Sequence, residues 1–252
     1  MGDRDARDAG RPGGAPARGA LAAGHAGAVA VGGRRLTPDR SGALYWEAER
    51  TLIVADLHLE KAAALAGRGA LWPPYDTRET LARLARAVAR YDPARIVALG
   101  DSFHRLDGPA SMGEEERAAL ARLQRRREWV WIAGNHDPEI AACAGGRVCA
   151  ELRLGGLVLR HEPAPGPAAG EIAGHLHPVA KLARAGATLR RPCFVGDGRR
   201  LVLPAFGAFT GGLNVRDAAF AALFGRAGEA MAVWVVGEEG LYPVAPEALR
   251  PD

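Results

Sequence analysis

The sequence predicts an α/β fold: a four-layer αββα sandwich, two sheets packed face to face with helices outside them. Three observations predict it. Up to residue 140, short apolar runs alternate with amphipathic helical segments, the pattern of an α/β sheet. Beyond residue 145 the texture changes to short β-rich segments separated by Gly and Pro turns, which reads as a second, mostly antiparallel sheet. Four of the apolar runs end in short polar motifs, and open α/β sheets build their sites at the carboxyl ends of strands.

The elements follow in chain order. Residues 1–25 are almost all Gly, Ala, Arg, Asp and Pro, with Met1 and Leu21 as their large apolar side chains, and are expected to form a flexible tail. Residues 26–252 are expected to form one domain, since neither a linker nor an internal repeat interrupts them. Segments 28–32, 43–47 and 51–55 read as strands. Asp76 to Glu79 has the spacing of a capping box, followed by Leu81, Leu84 and Val88 at helical spacing, so a helix should run to about Arg90 and stop before Pro93. Segment 95–99 is an apolar strand. Ser111 and Glu114 form a second capping-box pattern for a helix to about Arg127, and 129–133 is the next strand. Further β segments are expected at 147–154, 156–161, 187–190, 193–196, 200–204 and 231–236.

Composition narrows the function classes. The 252 residues are 48% hydrophobic and 25% charged, ordinary for a globular protein. The charge excess, 33 − 29 = +4, leans mildly toward anionic partners, although a GC-rich genome also enriches Arg, Ala and Gly. Three cysteines, Cys143, Cys149 and Cys193, give neither a disulfide framework nor a thiolate zinc site and fit a cytoplasmic location. No apolar run is long enough for a membrane span, and Ala20–Val31 is too broken by Gly24, His25 and Gly27 for a signal-peptide core. G-x-S-x-G, P-loop and G-x-G-x-x-G fingerprints are absent, as are zinc fingers and RNA-binding aromatic strands.

The chemistry lies in Asp56-Leu57-His58, Gly100-Asp101, Gly134-Asn135-His136-Asp137 and Gly174-His175-Leu176-His177. Together with His161 they supply carboxylate, imidazole and amide ligands for two metal ions: Asp56, His58, Asp101, Asn135, His161, His175 and His177. This mixed nitrogen and oxygen set suits Mn, Fe or Zn better than Mg or Ca. One group must bridge both ions, and Asp101, following a strand, is the natural choice. Bridged ions ~3.5–4 Å apart can clamp an in-line displacement at phosphorus. His175 and His177 alternate, as ligands on one strand face would.

In this order the motifs resemble those of the calcineurin-like metallophosphoesterase superfamily: D-x-H, G-D, G-N-H, a separate His, then G-H-x-H. The resemblance implies one metal held by Asp56, His58, Asp101 and His177, and a second by Asp101, Asn135, His161 and His175. It implies that His136 protonates the leaving oxygen or stabilises the transition state. In the superfamily the separate His usually follows a Gly; here Arg160 precedes His161. A narrower resemblance, to the ligase-associated DNA-damage-response endonuclease family (PdeM type), rests on six stretches. These are Asp56–Lys61, Gly100–His104, His161-Glu162-Pro163, Gly174–Pro178, Arg191–Phe194 and Leu203–Gly212. It implies a nucleic-acid substrate and partners from a ligase and helicase repair set, with no membrane.

Other residues have alternative readings. Asp137, before Pro138 and Glu139, reads as a helix N-cap. His104 can touch substrate or orient Asp101 through a hydrogen bond. Arg122, Arg125, Arg126 and Arg127 form a solvated helix end or a DNA-facing patch. Gly211-Gly212 makes a tight turn or a close backbone approach to substrate. The reading is a metal-dependent phosphodiesterase. Its rivals are a phosphomonoesterase or small-nucleotide hydrolase, and a non-enzymatic scaffold on the same fold.

Overall fold

Continuous apolar runs became the central strands of the first sheet in a computed structural model, which describes residues 27–61, 75–104, 108–137, 140, 144–184, 187–225 and 231–252. The expected N-terminal tail, Pro138, Glu139 and Cys143 lie outside the described residues. Among these residues the first sheet has strands β1 (Val29–Val31), β2 (Arg34–Pro38), β3 (Leu44–Trp46), β4 (Thr51–Val54), β5 (Arg95–Leu99), β6 (Glu128–Ile132) and β7 (Arg147–Cys149), side by side in that order. β1 to β4 are antiparallel; β4 to β7 are parallel. Helices α1 (Asp76–Tyr91), α2 (Gly108–Ser111) and α3 (Glu114–Gln124) lie in the crossovers.

The second sheet contains β8 (Glu151–Leu154), β9 (Leu157–Arg160), β10 (Glu171–Ala173), β11 (Pro178–Arg184), β12 (Ala187–Gly196), β13 (Arg200–Val202), β14 (Leu213–Asn214), β15 (Ala232–Val236) and β16 (Leu241–Val244). Its order is β14-β11-β12-β13-β10-β9-β8, with β15 pairing β12 and β16. It is mixed: β9, β10 and β13 run parallel, whereas β11, β12, β15 and β16 form antiparallel pairs. Helix α4 (Ala218–Phe224) covers its outer face.

Period-two alternation sorts the side chains into three cores. Leu52, Val54, Ile96, Ala98, Trp129 and Trp131 face α1 and α3, meeting Leu81, Leu84, Val88, Leu120 and Leu123. The intervening Ile53, Val97, Leu99, Val130 and Ile132 face the second sheet and meet Leu157, Leu159, Ile172, Phe194 and Leu201. Cys193, Val195, Val202, Val233 and Val235 pack on Phe220 and Phe224 of α4. Both faces of β4 to β6 are therefore buried, which is why those strands read as unbroken apolar runs.

The structure departs from the sequence reading at several elements. Segment 147–154 divides between the sheets at Ala150: β7 joins the first and β8 the second. Segments 187–190 and 193–196 are one strand, with Pro192 in its interior. The proline is accommodated where the ladder changes neighbours, since β11 pairs up to Pro192 and β15 pairs from Cys193. Neither capping box forms: Tyr75 precedes the first helical residue Asp76, and Gly113 precedes Glu114, both without a side-chain cap. Ser111 ends α2, its hydroxyl donating to the Gly108 carbonyl at 3.0 Å. Helix α3 ends at Gln124, three residues before Arg127. Helix α4 has a side-chain N-cap: Asp217 Oδ1 accepts from the Ala219 amide at 2.9 Å.

Candidate metal centre

All seven residues singled out as ligands converge at the seam between the sheets. Asp56 and His58 follow β4, Asp101 follows β5 and Asn135 follows β6; His161 follows β9, and His175 and His177 follow β10. Backbone hydrogen bonds tie these turns together. The His58 amide donates to the Asp101 carbonyl at 2.9 Å, Leu59 to Ser102 at 2.9 Å, and Gly174 to His161 at 2.9 Å. Five of the seven, Asp56, His58, Asp101, His175 and His177, have positive φ between 43° and 69°. Non-glycine residues rarely adopt that region, and such conformations concentrate where a fold holds side chains in functional positions.

The side chains form two groups. Asp56, His58 and His177 are one; Asp101, His161 and His175 are the other. His177 Nε2 lies 3.2 Å from Asp56 Oδ1 and 3.3 Å from His58 Nε2. His161 Nε2 lies 3.1 Å from His175 Nδ1 and 3.5 Å from Asp101 Oδ1. Asn135 Nδ2 approaches His175 Nδ1 at 3.4 Å, and a half-turn of the amide puts Oδ1 there instead. Donors about 2.1 Å from one ion, at tetrahedral or octahedral angles, lie roughly 3.0–3.4 Å apart. The residues present therefore fit two divalent cations.

Tautomers are set from outside the cluster. His161 Nδ1 donates to the Leu99 carbonyl at 2.9 Å, leaving Nε2 with its lone pair toward Asp101 and His175. His177 Nδ1 donates to the Gly211 carbonyl at 3.2 Å, leaving Nε2 toward Asp56. Burial, with His177 close by, pushes His58 down to about 3, so it is a neutral imidazole able to ligate. Burial alone would raise Asp101. The His136 amide, donating to Oδ1 at 2.9 Å, and the His161, His58 and His136 imidazoles outweigh it and hold the carboxyl below the usual range. His177 moves up: burial opposes its charge, but the Asp56 carboxylate prevails.

The sequence profile of the calcineurin-like phosphoesterases matches residues 49–178, just over half of the chain, and this span contains all seven candidate ligands. The chain is a calcineurin-like phosphoesterase. The family binds two divalent metal ions, and the two groups of side chains are where this member can hold them. Its structure is similar to that of the nuclease MPE from Pseudomonas putida, with a TM-score of 0.66 and 32% identity over 86% of this chain and 98% of that one. Yfce, a phosphoesterase from E. coli, matches at a TM-score of 0.37 and 14% identity over 79% of this chain and 99% of that one. A search of curated proteins finds no match. No helix among the described residues is long and apolar enough to cross a membrane.

In this phosphoesterase His136 stands at the mouth of the centre. Its side chain is 48% exposed, with Nε2 3.9 Å from Asp101 Oδ2. His104 stacks on it, ring centroids 5.2 Å apart and planes inclined by 22°. His175 and His177 do not share a strand face: β10 ends at Ala173, and the left-handed turns send the two imidazoles into different groups. Gly212 packs closely against the chain itself, since a Cβ there would collide with the His177 carbonyl and Val179. Gly134 is required in the same way, since a Cβ would strike the Asp101 amide and carboxylate. The basic run is elsewhere. Arg125–Arg127 precede β6, about 16 Å of strand from Asn135, and Arg127 is paired with Asp92 at 3.0 Å.

The helix that Asp137 was expected to cap would begin at Pro138 and Glu139, outside the described residues. What the sequence did not signal is a second contact: the buried Asp137 carboxylate crosses to the β5 turn, accepting from the amides of Ser102 at 2.7 Å and Phe103 at 3.0 Å, and also from Gly134 at 3.2 Å. Burial, reinforced by the nearby Asp101, pushes it up to about 6 despite these bonds. Asp137→Ala would strand these buried amides, at a cost of about 1–3 kcal/mol for each one left unsatisfied. A fall in Tm of roughly 5–15 °C is expected for the metal-free protein. A Tm within 1 °C of the parent, measured by calorimetry, would show that this carboxylate does not hold the loops.

Proposed function

We propose that this phosphoesterase is a binuclear-metal phosphodiesterase acting on nucleic acid. The observation that carries the reading is the convergence of two three-residue groups, from both sheets, around Asp101. Asp101 is the shared carboxylate: Oδ1 faces His161 Nε2, and its charge is felt by His58. Asn135 completes the second group through its amide oxygen. Two divalent cations, when bound, supply activation of a water and neutralisation of charge on the phosphoryl oxygens. The chain contributes the geometry. The Leu99 and Gly211 carbonyls keep His161 and His177 turned inward, and Asp137 with the His136 amide fixes the Asp101 turn. His136 is the residue that delivers a proton to the departing oxygen in this reading, supported by its half-exposed imidazole 3.9 Å from Asp101 Oδ2 and its stack with His104. Manganese suits the donor set, as Fe or Zn does.

Nucleic acid as substrate draws support from the likeness to the nuclease MPE, which spans 98% of that protein. The test is hydrolysis with Mn of single- and double-stranded oligonucleotides beside bis-p-nitrophenyl phosphate and its monoester. Cleavage of an oligonucleotide and of the diester, with the monoester at least about tenfold slower, is expected. Intact oligonucleotides beside rapid monoester hydrolysis would point instead to a small-phosphoester hydrolase.

A further inference from the structure

Phe209 is an anomaly beside this centre. The chain has six phenylalanines; five are at most 6% exposed, whereas Phe209 is 55% exposed. Single exposed apolar residues are ordinary on protein surfaces. Two further observations set this one apart.

First, its backbone is left-handed, with φ 58°, a conformation disfavoured for a bulky residue and kept only where surrounding structure enforces it. Second, its loop is anchored on both sides to the segments that carry candidate ligands. The Phe206 amide donates to the Ala55 carbonyl at 2.8 Å, Gly207 to Asp56 at 3.1 Å, and Leu213 to His177 at 3.1 Å. The Ala208 amide donates to Thr80 Oγ1 at 2.9 Å, and Lys61 Nζ donates to the Phe209 carbonyl itself at 3.4 Å. Lys61 lies three residues beyond His58. Phe209 is two residues from Gly211, whose carbonyl orients His177, so the two Cα atoms are within about 7.6 Å. The backbone that carries this exposed ring is thus anchored beside the Asp56–His58–His177 group.

We propose that Phe209 stacks on a nucleobase next to the scissile phosphate and so positions the strand over the metal centre. This rests on the reading of nucleic acid as substrate. The loop backbone is already fixed by these bonds, and every base offers a π-face, so the contact tolerates any sequence.

The test uses the full chain with Mn and an oligonucleotide cut at one mapped position, in parallel with the same oligonucleotide carrying tetrahydrofuran abasic residues on both sides of that position. Phe209→Ala is expected to raise KM on the intact strand by about five- to fiftyfold, the scale of base–aromatic stacking. The ratio to the parent should shrink to within about twofold on the abasic strand, where no base can stack. Phe209→Trp should restore KM on the intact strand. Tyr242→Ala, which removes another exposed aromatic, on β16, should change neither substrate. Thermal unfolding of each variant guards against misfolding. An unchanged KM for Phe209→Ala on the intact strand, or an equal defect on both strands, would overturn the inference. Failure of the parent protein to cut any oligonucleotide would overturn the nucleic-acid reading itself, a separate outcome.

Discussion

Asp101→Asn is expected to reduce turnover by on the order of 10³-fold or more and to leave the protein with at least one metal ion fewer per chain. The substitution preserves shape, and the His136 amide still has an oxygen to donate to. It removes the negative charge that the site keeps available: the carboxyl is 4% exposed and held below its ordinary range by the His136 amide and three imidazoles. Without that charge, two cations would be held close together with only Asp56 as a counter-ion among the seven ligands, and their repulsion would expel one. Metal content after desalting, measured beside kcat on bis-p-nitrophenyl phosphate, checks both halves. Turnover like that of the parent at saturating Mn would rule out Asp101 as the shared ligand.

His136→Ala is expected to act on chemistry alone, slowing kcat by roughly 10²–10⁴-fold, the usual size of acid–base assistance. The side chain belongs to neither ligand group, and the amide that fixes Asp101 survives the change. The defect should depend on the leaving group. An alkoxide needs a proton to depart and a nitrophenolate does not, so the ratio of rates should fall toward unity for the aryl ester. A loss of equal size across leaving groups would assign His136 to phosphate binding rather than proton delivery.

The parts of the fold that were legible share a physical cause. Strands β4, β5 and β6 are buried on both faces, so the chain spells them as Leu52–Ala55, Ile96–Leu99 and Trp129–Ala133. Strands β11, β14 and β16 begin with or contain proline, or are two residues long, and leave no such trace. Strand β2 opens with Arg34-Arg35 and is specified by its neighbours rather than by its own residues. At the site, candidate ligands announce themselves as side chains in motifs at strand ends. Their supports do not. The carbonyls of Leu99 and Gly211 are groups that almost any residue would supply, so no residue type marks them. Asp137 has a side chain that could be read, but its partners lie 34 and 35 residues upstream, in a different turn.

The origin of the ligands has one more consequence. Each group draws donors from both sheets: Asp56 and His58 from the first with His177 from the second, Asp101 from the first with His161 and His175 from the second. A cation bound there is also a clasp across the seam, made of chain positions as far apart as 56 and 177. It binds the folded chain and finds no such site on the unfolded one, so mass action adds RT ln(1 + [M]/Kd) to stability, about 2.7 kcal/mol at a free concentration a hundred times Kd. A chelator would therefore withdraw adhesion between the layers together with catalysis, and this protein's thermal tolerance becomes a property of its metal supply as well as of its sequence.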